Sequence, residues 1–187
     1  MKNLKRYHKL FQDVVKEHQE GGPSNINSRI LILDGLNTFI RVFSAVPALN
    51  DDGDHIGGVT GFLRSIAANI RLLKPTRVII CFDGKGGSKR RKKIYPEYKA
   101  NRKERFADQT EQEAKEFEMF MAEFSDTLTL IKKKYPVFHF RGVEADDIAA
   151  YITQSAEYDD CWLISSDKDW DLLISDKVYR FSRLNLK

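Results

Sequence analysis

Short apolar runs alternate along the chain with longer segments in which apolar residues recur at helical spacing. The runs contain apolar residues at successive positions, as expected for strands that are buried on both faces of a sheet. They cover residues 30–33, 78–82, 137–140 and 161–165, and 178–181 is a candidate fifth strand. This alternation predicts an α/β fold with three layers, α/β/α, in which helices cover both faces of a mainly parallel sheet.

The helical pattern predicts four helices. Three are expected over residues 2–19, 58–73 and 148–154. A fourth, long helix is expected to begin after Thr110, where Glu113 completes a capping box. Its buried stripe is predicted to consist of Phe117, Phe120, Met121, Phe124, Leu128 and Ile131. Glycine and proline at 21–23 end the first helix, so residues 1–28 are predicted to be an N-terminal helix and linker, and 29–187 a single domain.

Composition excludes several classes of protein. No apolar run approaches the roughly 18 residues that a membrane span needs. The basic N-terminus is followed by an amphipathic stretch instead of an apolar signal core, so export is not expected. Cys81 and Cys161 lie in predicted strands and are expected to be buried thiols in a reducing cytoplasm.

Charge is distributed unevenly. Residues 85–105 contain ten Lys or Arg residues and two Glu residues, although the whole chain has a net charge of only +4. A dense basic segment on a mildly acidic body favours a polyanionic partner such as nucleic acid. A solvated loop would give the same charge run, so the neighbouring residues decide between the two interpretations.

Carboxylates follow four of the predicted strands. Because the carboxyl ends of parallel strands lie on one edge of a sheet, these side chains are expected to converge there. The seven candidates are Asp34, Asp83, Glu144, Asp146, Asp147, Asp167 and Asp169. Any one of them has an ordinary alternative role as a helix N-cap or as a partner of a helix dipole. Seven together would repel one another, and two outcomes would relieve the repulsion: protonation of some acids, or binding of divalent cations that prefer oxygen ligands, Mg²⁺ or Mn²⁺.

Five short motifs follow one another along the chain: LDGLN at 33–37, FDG at 82–84, YPEYKANR at 95–102, GVEADD at 142–147 and ISSDKD at 164–169. In this order they resemble the motifs of the flap endonuclease and 5′→3′ exonuclease family, with the bacteriophage enzymes looking most similar. The resemblance implies a PIN-like fold with a basic helical arch, and a metal-dependent 5′-nuclease that acts on 5′ flaps, nicks or RNA primers during DNA replication. It also implies two metal ions, held directly or through water by the seven acids.

The resemblance assigns further residues to the substrate. Lys99 and Arg102 would lie in the arch and contact the scissile phosphate as catalytic residues. Tyr98 is a candidate for stacking on a terminal base, with arch packing as its alternative role. The remaining substrate-binding candidates are Arg41, Arg90, Arg91, Lys92 and Lys93. The implied partners are DNA with single-stranded 5′ ends or flaps and RNA–DNA hybrids.

One departure from the family pattern follows the last motif. Family members continue into a helix–hairpin–helix region that also supplies aspartates to the second metal, and this region is absent from residues 1–187. The chain alone is therefore expected to bind the second metal and duplex DNA weakly, with a separate C-terminal fragment or a replication partner as the possible source of the rest.

Two other functions remain open from sequence. A PIN-type ribonuclease would share the acidic edge and would cleave single-stranded RNA without a preference for a DNA 5′ junction. A non-catalytic DNA-binding fragment would bind DNA without turnover in Mg²⁺ or Mn²⁺.

Overall fold

The computed structural model describes residues 27–98 and 110–182. The predicted N-terminal helix and most of its linker lie outside these residues, so the proposed division at residue 28 stays a prediction. Lys99 and Arg102 also lie outside them.

Five parallel strands form the central sheet in the order β3-β2-β1-β4-β5. The strands are β1 (Arg29–Asp34), β2 (Arg77–Cys81), β3 (Val137–Phe138), β4 (Asp160–Ile164) and β5 (Val178–Phe181). β1 lies at the centre, with Leu33 in register with Ile80 of β2 on one side and Ile164 of β4 on the other. The predicted parallel sheet is therefore confirmed, and the candidate fifth strand is part of it.

Within the described residues, five α-helices and one short 3₁₀-helix surround the sheet. They are α1 (Gly35–Ala45), α2 (Gly57–Leu73), α3 (Lys89–Ile94), α4 (Glu111–Ile131), α5 (Ala145–Ser155) and the 3₁₀-helix (Lys168–Leu173). Among residues 27–98 and 110–182, every helix falls short of the length and apolar character that a bilayer crossing requires.

The two faces of the sheet bury separate clusters of apolar side chains. In β1, Leu31 and Leu33 pack on the face covered by α1, α2 and α4, whereas Ile30 and Ile32 pack on the face covered by α5 and the 3₁₀-helix. All four side chains are at most 1% exposed. This two-sided burial explains why the strands are continuous apolar runs, and it confirms the three-layer arrangement.

The ends of two helices follow the sequence signals. The backbone of Lys74 adopts a left-handed conformation (φ 47°) after α2, directly before Pro75. At the start of α4, the Thr110 side chain accepts from Glu113 N–H, and the Glu113 carboxylate accepts from Thr110 N–H at 2.7 Å. The predicted capping box is confirmed.

The buried stripe predicted for α4 is partly wrong. Phe117 and Met121 are 44% and 46% exposed. The buried face of α4 instead includes Glu123, Thr127, Leu130 and Ile131, with Phe120, Phe124 and Leu128 packed against the core. Within its second half the buried positions include a charged residue, Glu123, whose carboxylate accepts from Val59 N–H at 3.1 Å and contacts His55 Nδ1 at 2.6 Å. Glu123 thereby caps α2, whose own N-cap residue makes no side-chain hydrogen bond.

The predicted strand at 137–140 is shorter than expected. Only Val137 and Phe138 pair with β2, because the chain then turns through Gly142, whose φ is +82°. The turn brings Gly142 N–H to Lys85 O at 3.1 Å, beside the end of β2. Both cysteines are buried and free as predicted, and burial raises the pKa of the Cys161 thiol to about 12.

Candidate metal centre at the carboxyl edge of the sheet

Six of the seven predicted acids line one cleft at the carboxyl edge of the sheet. They are Asp34, Asp83, Glu144, Asp146, Asp167 and Asp169. The seventh, Asp147, has a carboxylate oxygen within 4.8 Å of oxygens from Glu144 and Asp146. The convergence expected from the strand ends is therefore present in the structure.

Asp34 is the most buried aspartate of the cleft, at 6% exposure. It ends β1 and caps α1, accepting from Asn37 N–H at 3.1 Å, and Ser165 Oγ donates to its other oxygen at 2.7 Å. Burial raises the pKa of Asp34 to about 7, and the charges of Asp83 and Asp167 raise it by a smaller amount. The hydrogen bonds from Ser165 and Asn37 act in the opposite direction and lower the pKa. Asp34 therefore acts as an N-cap and still presents a carboxyl group to the cleft.

Asp83 joins the end of β2 to the start of α5. Its Oδ1 accepts from Ala145 N–H at 2.8 Å, in the first turn of that helix. The approach is close because Gly84 lies against the Phe140 carbonyl, where an added Cβ would come within 1.7 Å of the oxygen. Glycine at this position therefore allows β2 and the turn before α5 to bring Asp83 to the cleft.

Glu144, Asp146 and Asp147 form a cluster around the start of α5. Glu144 is buried, Asp146 is half-buried and Asp147 is exposed. The positive end of the helix dipole favours acidic groups here, but three carboxylates this close still repel one another. The structure therefore requires a positive charge at this point.

Arg91 of α3 supplies a positive charge to the cluster. Its guanidinium pairs with Glu144, with Asp146 at 2.8 Å and with Asp147 at 2.9 Å. Burial acts to lower the pKa of Arg91, but the hydrogen bond to Asp146 and the charges of the cluster outweigh it and raise the pKa, so the guanidinium is ionised. The sequence indicated Arg91 only as one of several substrate-binding candidates and did not reveal these contacts.

Asp167 and Asp169 lie on the loop and 3₁₀-helix that follow β4, and both are exposed. Asp167 accepts from Asp169 N–H at 3.0 Å and donates its own N–H to Ser165 Oγ at 3.0 Å. Ser165 Oγ also donates to Asp34, so one buried hydroxyl joins the acids at the ends of β1 and β4.

The same loop has a second connection to α1. Ser166 donates its N–H and its hydroxyl to Asn37 Oδ1, at 3.1 and 2.9 Å. Sequence reasoning assigned no role to Ser165, Ser166 or Asn37. Their signal was present in the motifs at 33–37 and 164–169, where small polar residues follow apolar strands.

The substrate-binding candidates occupy different places. Tyr98 lines the cleft, and its hydroxyl donates to Glu144 at 3.3 Å. Lys92 lines a second cleft that shares Asp83 and Glu144 with the first. Arg90 and Lys93 are exposed on α3, and Arg41 is exposed on α1, outside the set of described residues that line the acidic cleft.

The donor set fits a hard divalent cation. All seven acids offer carboxylate oxygens, and within the described residues the group at Glu144, Asp146 and Asp147 can present three such atoms to one ion. Oxygen-only ligation is typical of Mg²⁺ and Mn²⁺ sites. The guanidinium of Arg91 already shows that a positive group is accommodated at this cluster.

Comparison with known proteins places the cleft in a familiar context. A family model described as the 5′-3′ exonuclease N-terminal resolvase-like domain matches residues 29–186. The flap endonuclease of Escherichia phage T5 is 39% identical over 158 residues, which are 82% of this chain and 50% of that protein. DNA polymerase I of Bacillus subtilis is 31% identical over 153 residues, or 80% of this chain and 16% of the polymerase.

Solved structures give the same result. The T5 5′-exonuclease with bound zinc ions superimposes with a TM-score of 0.71 at 35% identity, covering 83% of this chain and 55% of that one. The T5 flap endonuclease in a complex with DNA and metal ions gives a TM-score of 0.69 at 37% identity, with 83% and 55% coverage. The chain thus spans about half the length of the phage protein, and the PIN-like fold and the family resemblance expected from the motifs are confirmed.

Proposed function

This chain belongs to the 5′-3′ exonuclease family, and we propose that it is the catalytic half of a divalent-metal-dependent 5′-nuclease that hydrolyses phosphodiesters at 5′ flaps, nicks or RNA primers in DNA replication. The observation that carries the proposal is the convergence of six carboxylates, from the ends of four strands, in one cleft beside a basic helix. An acidic centre with a basic border suits a reaction in which metal ions and a phosphodiester must meet.

The seven acids are the proposed metal ligands. Glu144, Asp146 and Asp147 would hold one Mg²⁺ or Mn²⁺ ion, and Asp34, Asp83, Asp167 and Asp169 would contribute to this ion or to a second. The chemistry supplied by such ions, when bound, is activation of a water molecule and stabilisation of the leaving oxygen.

The protein's own residues would orient these ligands. Ser165 holds the carboxyl of Asp34 toward the loop of Asp167 through its hydroxyl. Ala145 N–H fixes one oxygen of Asp83. Because the backbone positions of these acids are fixed by strand ends and caps, the ligands would need little rearrangement to bind a cation.

The proposed substrate is DNA with a single-stranded 5′ end or flap, and the proposal extends to RNA–DNA hybrids. Tyr98 lies at the cleft, where its ring could stack on a terminal base. The exposed cations Arg41, Arg90 and Lys93, together with Lys92, would attract the phosphate backbone. Lys99 and Arg102, which follow Tyr98 in sequence, are proposed to contact the scissile phosphate.

The partner and the compartment follow from the same role. The proposed partner is DNA with a single-stranded 5′ end or flap, and the T5 flap endonuclease in its complex with DNA and metal ions supports this proposal. The compartment would be the bacterial cytoplasm or a phage-infected cell, where replication intermediates carry 5′ flaps.

The test is cleavage of a labelled 5′-flap duplex with Mn²⁺, with and without chelator, by the wild type and by Asp167→Asn. A matched control is Asp126→Asn, which changes an exposed aspartate on α4. Cleavage should be abolished by chelator, reduced at least about 100-fold by Asp167→Asn if this carboxylate helps to hold the catalytic ions, and unchanged in the control.

Two further substrates separate the alternatives. Equal cleavage of single-stranded RNA and of the flap would favour a PIN-type ribonuclease. Flap binding without turnover, in either metal, would favour a non-catalytic DNA-binding fragment. Turnover that persists with chelator and in Asp167→Asn would overturn the metal mechanism.

A further inference from the structure

Arg91 differs from the other cations of its helix in where its charge lies. α3 has the sequence KRRKKI, and the Lys89, Arg90 and Lys93 residues are exposed. The Arg91 side chain is 31% exposed, and its guanidinium donates to oxygens of three carboxylates. A helix that is otherwise suited to contacting polyanions therefore has one cation directed at acids of the same chain.

The three carboxylates that bind Arg91 are the same three that come close enough together to hold a metal ion. The oxygens of Glu144, Asp146 and Asp147 lie within 4.8 Å of one another, and Arg91 pairs with each of these residues. A guanidinium paired with all three carboxylates and a divalent cation bound among the same carboxylates would compete, since the two positive charges repel strongly at this separation.

Tyr98 is joined to the same contacts. Its hydroxyl lies 3.3 Å from Glu144 Oε2 and 3.4 Å from Arg91 Nη1, and the guanidinium carbon lies 5.8 Å from the centre of the Tyr98 ring. Arg91 thus connects α3 and Tyr98 to the start of α5. Loss of the Arg91 contacts would remove the three ion pairs that join α3 to the acidic cluster.

We propose that Arg91 is an exchangeable internal cation that neutralises the Glu144–Asp146–Asp147 cluster until a divalent ion binds there. The divalent ion displaces Arg91, and α3 and Tyr98 are then released toward an incoming phosphate backbone. This inference rests on the proposed metal site. Under this proposal, metal binding has two effects. It brings the ion into the cleft, and it frees the Arg91 guanidinium from the acids so that the substrate can contact it. A protein of this kind keeps its basic helix against the cleft until the metal is present.

The exchange lowers the apparent metal affinity of the wild type, because the ion must compete with the guanidinium. Arg91→Gln removes the competitor, whereas Lys89→Gln removes the same formal charge from an exposed position of the same helix. Titration of each protein with Mn²⁺ in a calorimeter should show the first ion binding about ten-fold more tightly to Arg91→Gln than to wild type. Lys89→Gln should differ from wild type by less than about two-fold.

Arg91→Lys provides a second variant in which the cluster keeps a positive partner. A lysine ammonium cannot reproduce the forked contacts, so its competition should be weaker and the affinity should lie between those of wild type and Arg91→Gln. Hydrogen exchange provides a readout that does not depend on affinity. Mn²⁺ should speed amide exchange over residues 89–98 in wild type, and Arg91→Gln should show the faster exchange without metal.

The outcomes separate the two proposals. If wild type binds no Mn²⁺, the proposed metal site and the exchange both fall. If it binds Mn²⁺ but Arg91→Gln behaves like Lys89→Gln, or binds the ion more weakly, the exchange alone is wrong and Arg91 is a fixed support of the cluster. Slower exchange of residues 89–98 on addition of Mn²⁺ to wild type would also overturn it.

Discussion

The substitution Asp34→Asn should make the metal-free protein more stable at alkaline pH. Asp34 is 6% exposed, and burial raises its pKa from the ordinary value of 3.8 to about 7. An asparagine has nearly the same shape and no charge to desolvate. Its side-chain oxygen can still accept from Asn37 N–H, so the N-cap of α1 should be retained.

The sign follows from the two pKa values. Below about pH 4 the carboxyl is protonated in both the folded and the unfolded chain. Between pH 4 and pH 7 the unfolded chain releases the proton and the folded chain keeps it, so the stability contributed by this group falls as pH rises, and above pH 7 the deficit is constant. At about 1.4 kcal/mol for each pKa unit, the deficit is on the order of 4 kcal/mol.

The net gain in the variant should be smaller than the whole deficit. Ser165 Oγ donates to Asp34 at 2.7 Å, and with an asparagine the hydroxyl or the amide must reorient to keep this bond. Allowing about 1–2 kcal/mol for a weakened hydrogen bond, Asp34→Asn should be about 2 kcal/mol more stable than wild type at pH 8. For a chain of this size that corresponds to a rise in Tm of roughly 4–8 °C.

The assay is thermal and urea unfolding in excess chelator at several pH values from 5 to 8.5, with Asp126→Asn as the control. The difference between Asp34→Asn and wild type should widen as pH rises, whereas the control should follow wild type throughout. A variant that is less stable than wild type at pH 8, or a difference that does not vary with pH, would refute the account of Asp34 as a carboxyl destabilised by burial.

Two further predictions concern the close packing at Gly84 and the contacts of Glu123 with the start of α2. Gly84→Ala should destabilise the protein by about 2–3 kcal/mol, because its Cβ would come within 1.7 Å of the Phe140 carbonyl oxygen. Gly53→Ala places its new Cβ at a φ of +86° with no atom within 4 Å, so it should lower the free energy of unfolding by only about 1 kcal/mol. Equal losses for Gly84→Ala and Gly53→Ala in urea unfolding would contradict this reasoning. Glu123→Gln should lower the free energy of unfolding by about 1–3 kcal/mol, because it weakens the hydrogen bonds of this α4 residue to the start of α2. Glu118→Gln, at an exposed position of α4, should change the free energy of unfolding by less than about 0.5 kcal/mol. A similar midpoint for these two variants would show that the cap does not depend on the charge.

The strands could be predicted from sequence because burial on both sides leaves an unbroken apolar run. The helix α1 was not predicted, although Leu36, Phe39 and Phe43 follow Asp34 at helical spacing. The acid at its start was predicted to be a metal ligand, with a helix N-cap as the alternative role, and the structure shows Asp34 as the N-cap of α1. An aspartate after a strand suits both roles, so the sequence alone does not choose between them, and the metal-ligand role stays a prediction.

The errors arose where a local pattern extends past the core. Periodicity placed Phe117 in the buried stripe of α4, but its side chain is 44% exposed, and the α4 residues that pack against the core begin at Phe120. Hydrophobic character extended β3 to Phe140, but the turn at Gly142 ends the pairing earlier. Neither limit is encoded within the segment itself, since each depends on how long the neighbouring elements are.

The acids of the cleft were predictable as a group, because parallel strands bring their carboxyl ends to one edge. The contacts of Arg91 were not predictable, since they join α3 to residues 53 to 56 positions away, and a run of basic residues has no periodicity to indicate which side chain turns inward. The roles proposed for Lys99 and Arg102 stay predictions, because both lie outside residues 27–98 and 110–182.

The central position of β1 has a consequence for synthesis of the chain. One of its two neighbours, β4, is encoded 131 residues later, as the pairing of Arg29 with Asp160 shows. A ribosome needs about 7–26 seconds to cover that distance, and during this time the edge of the central strand that pairs with β4 lacks that partner. Such an edge invites pairing with other chains, so conditions that slow translation between β1 and β4 should increase aggregation of the nascent protein.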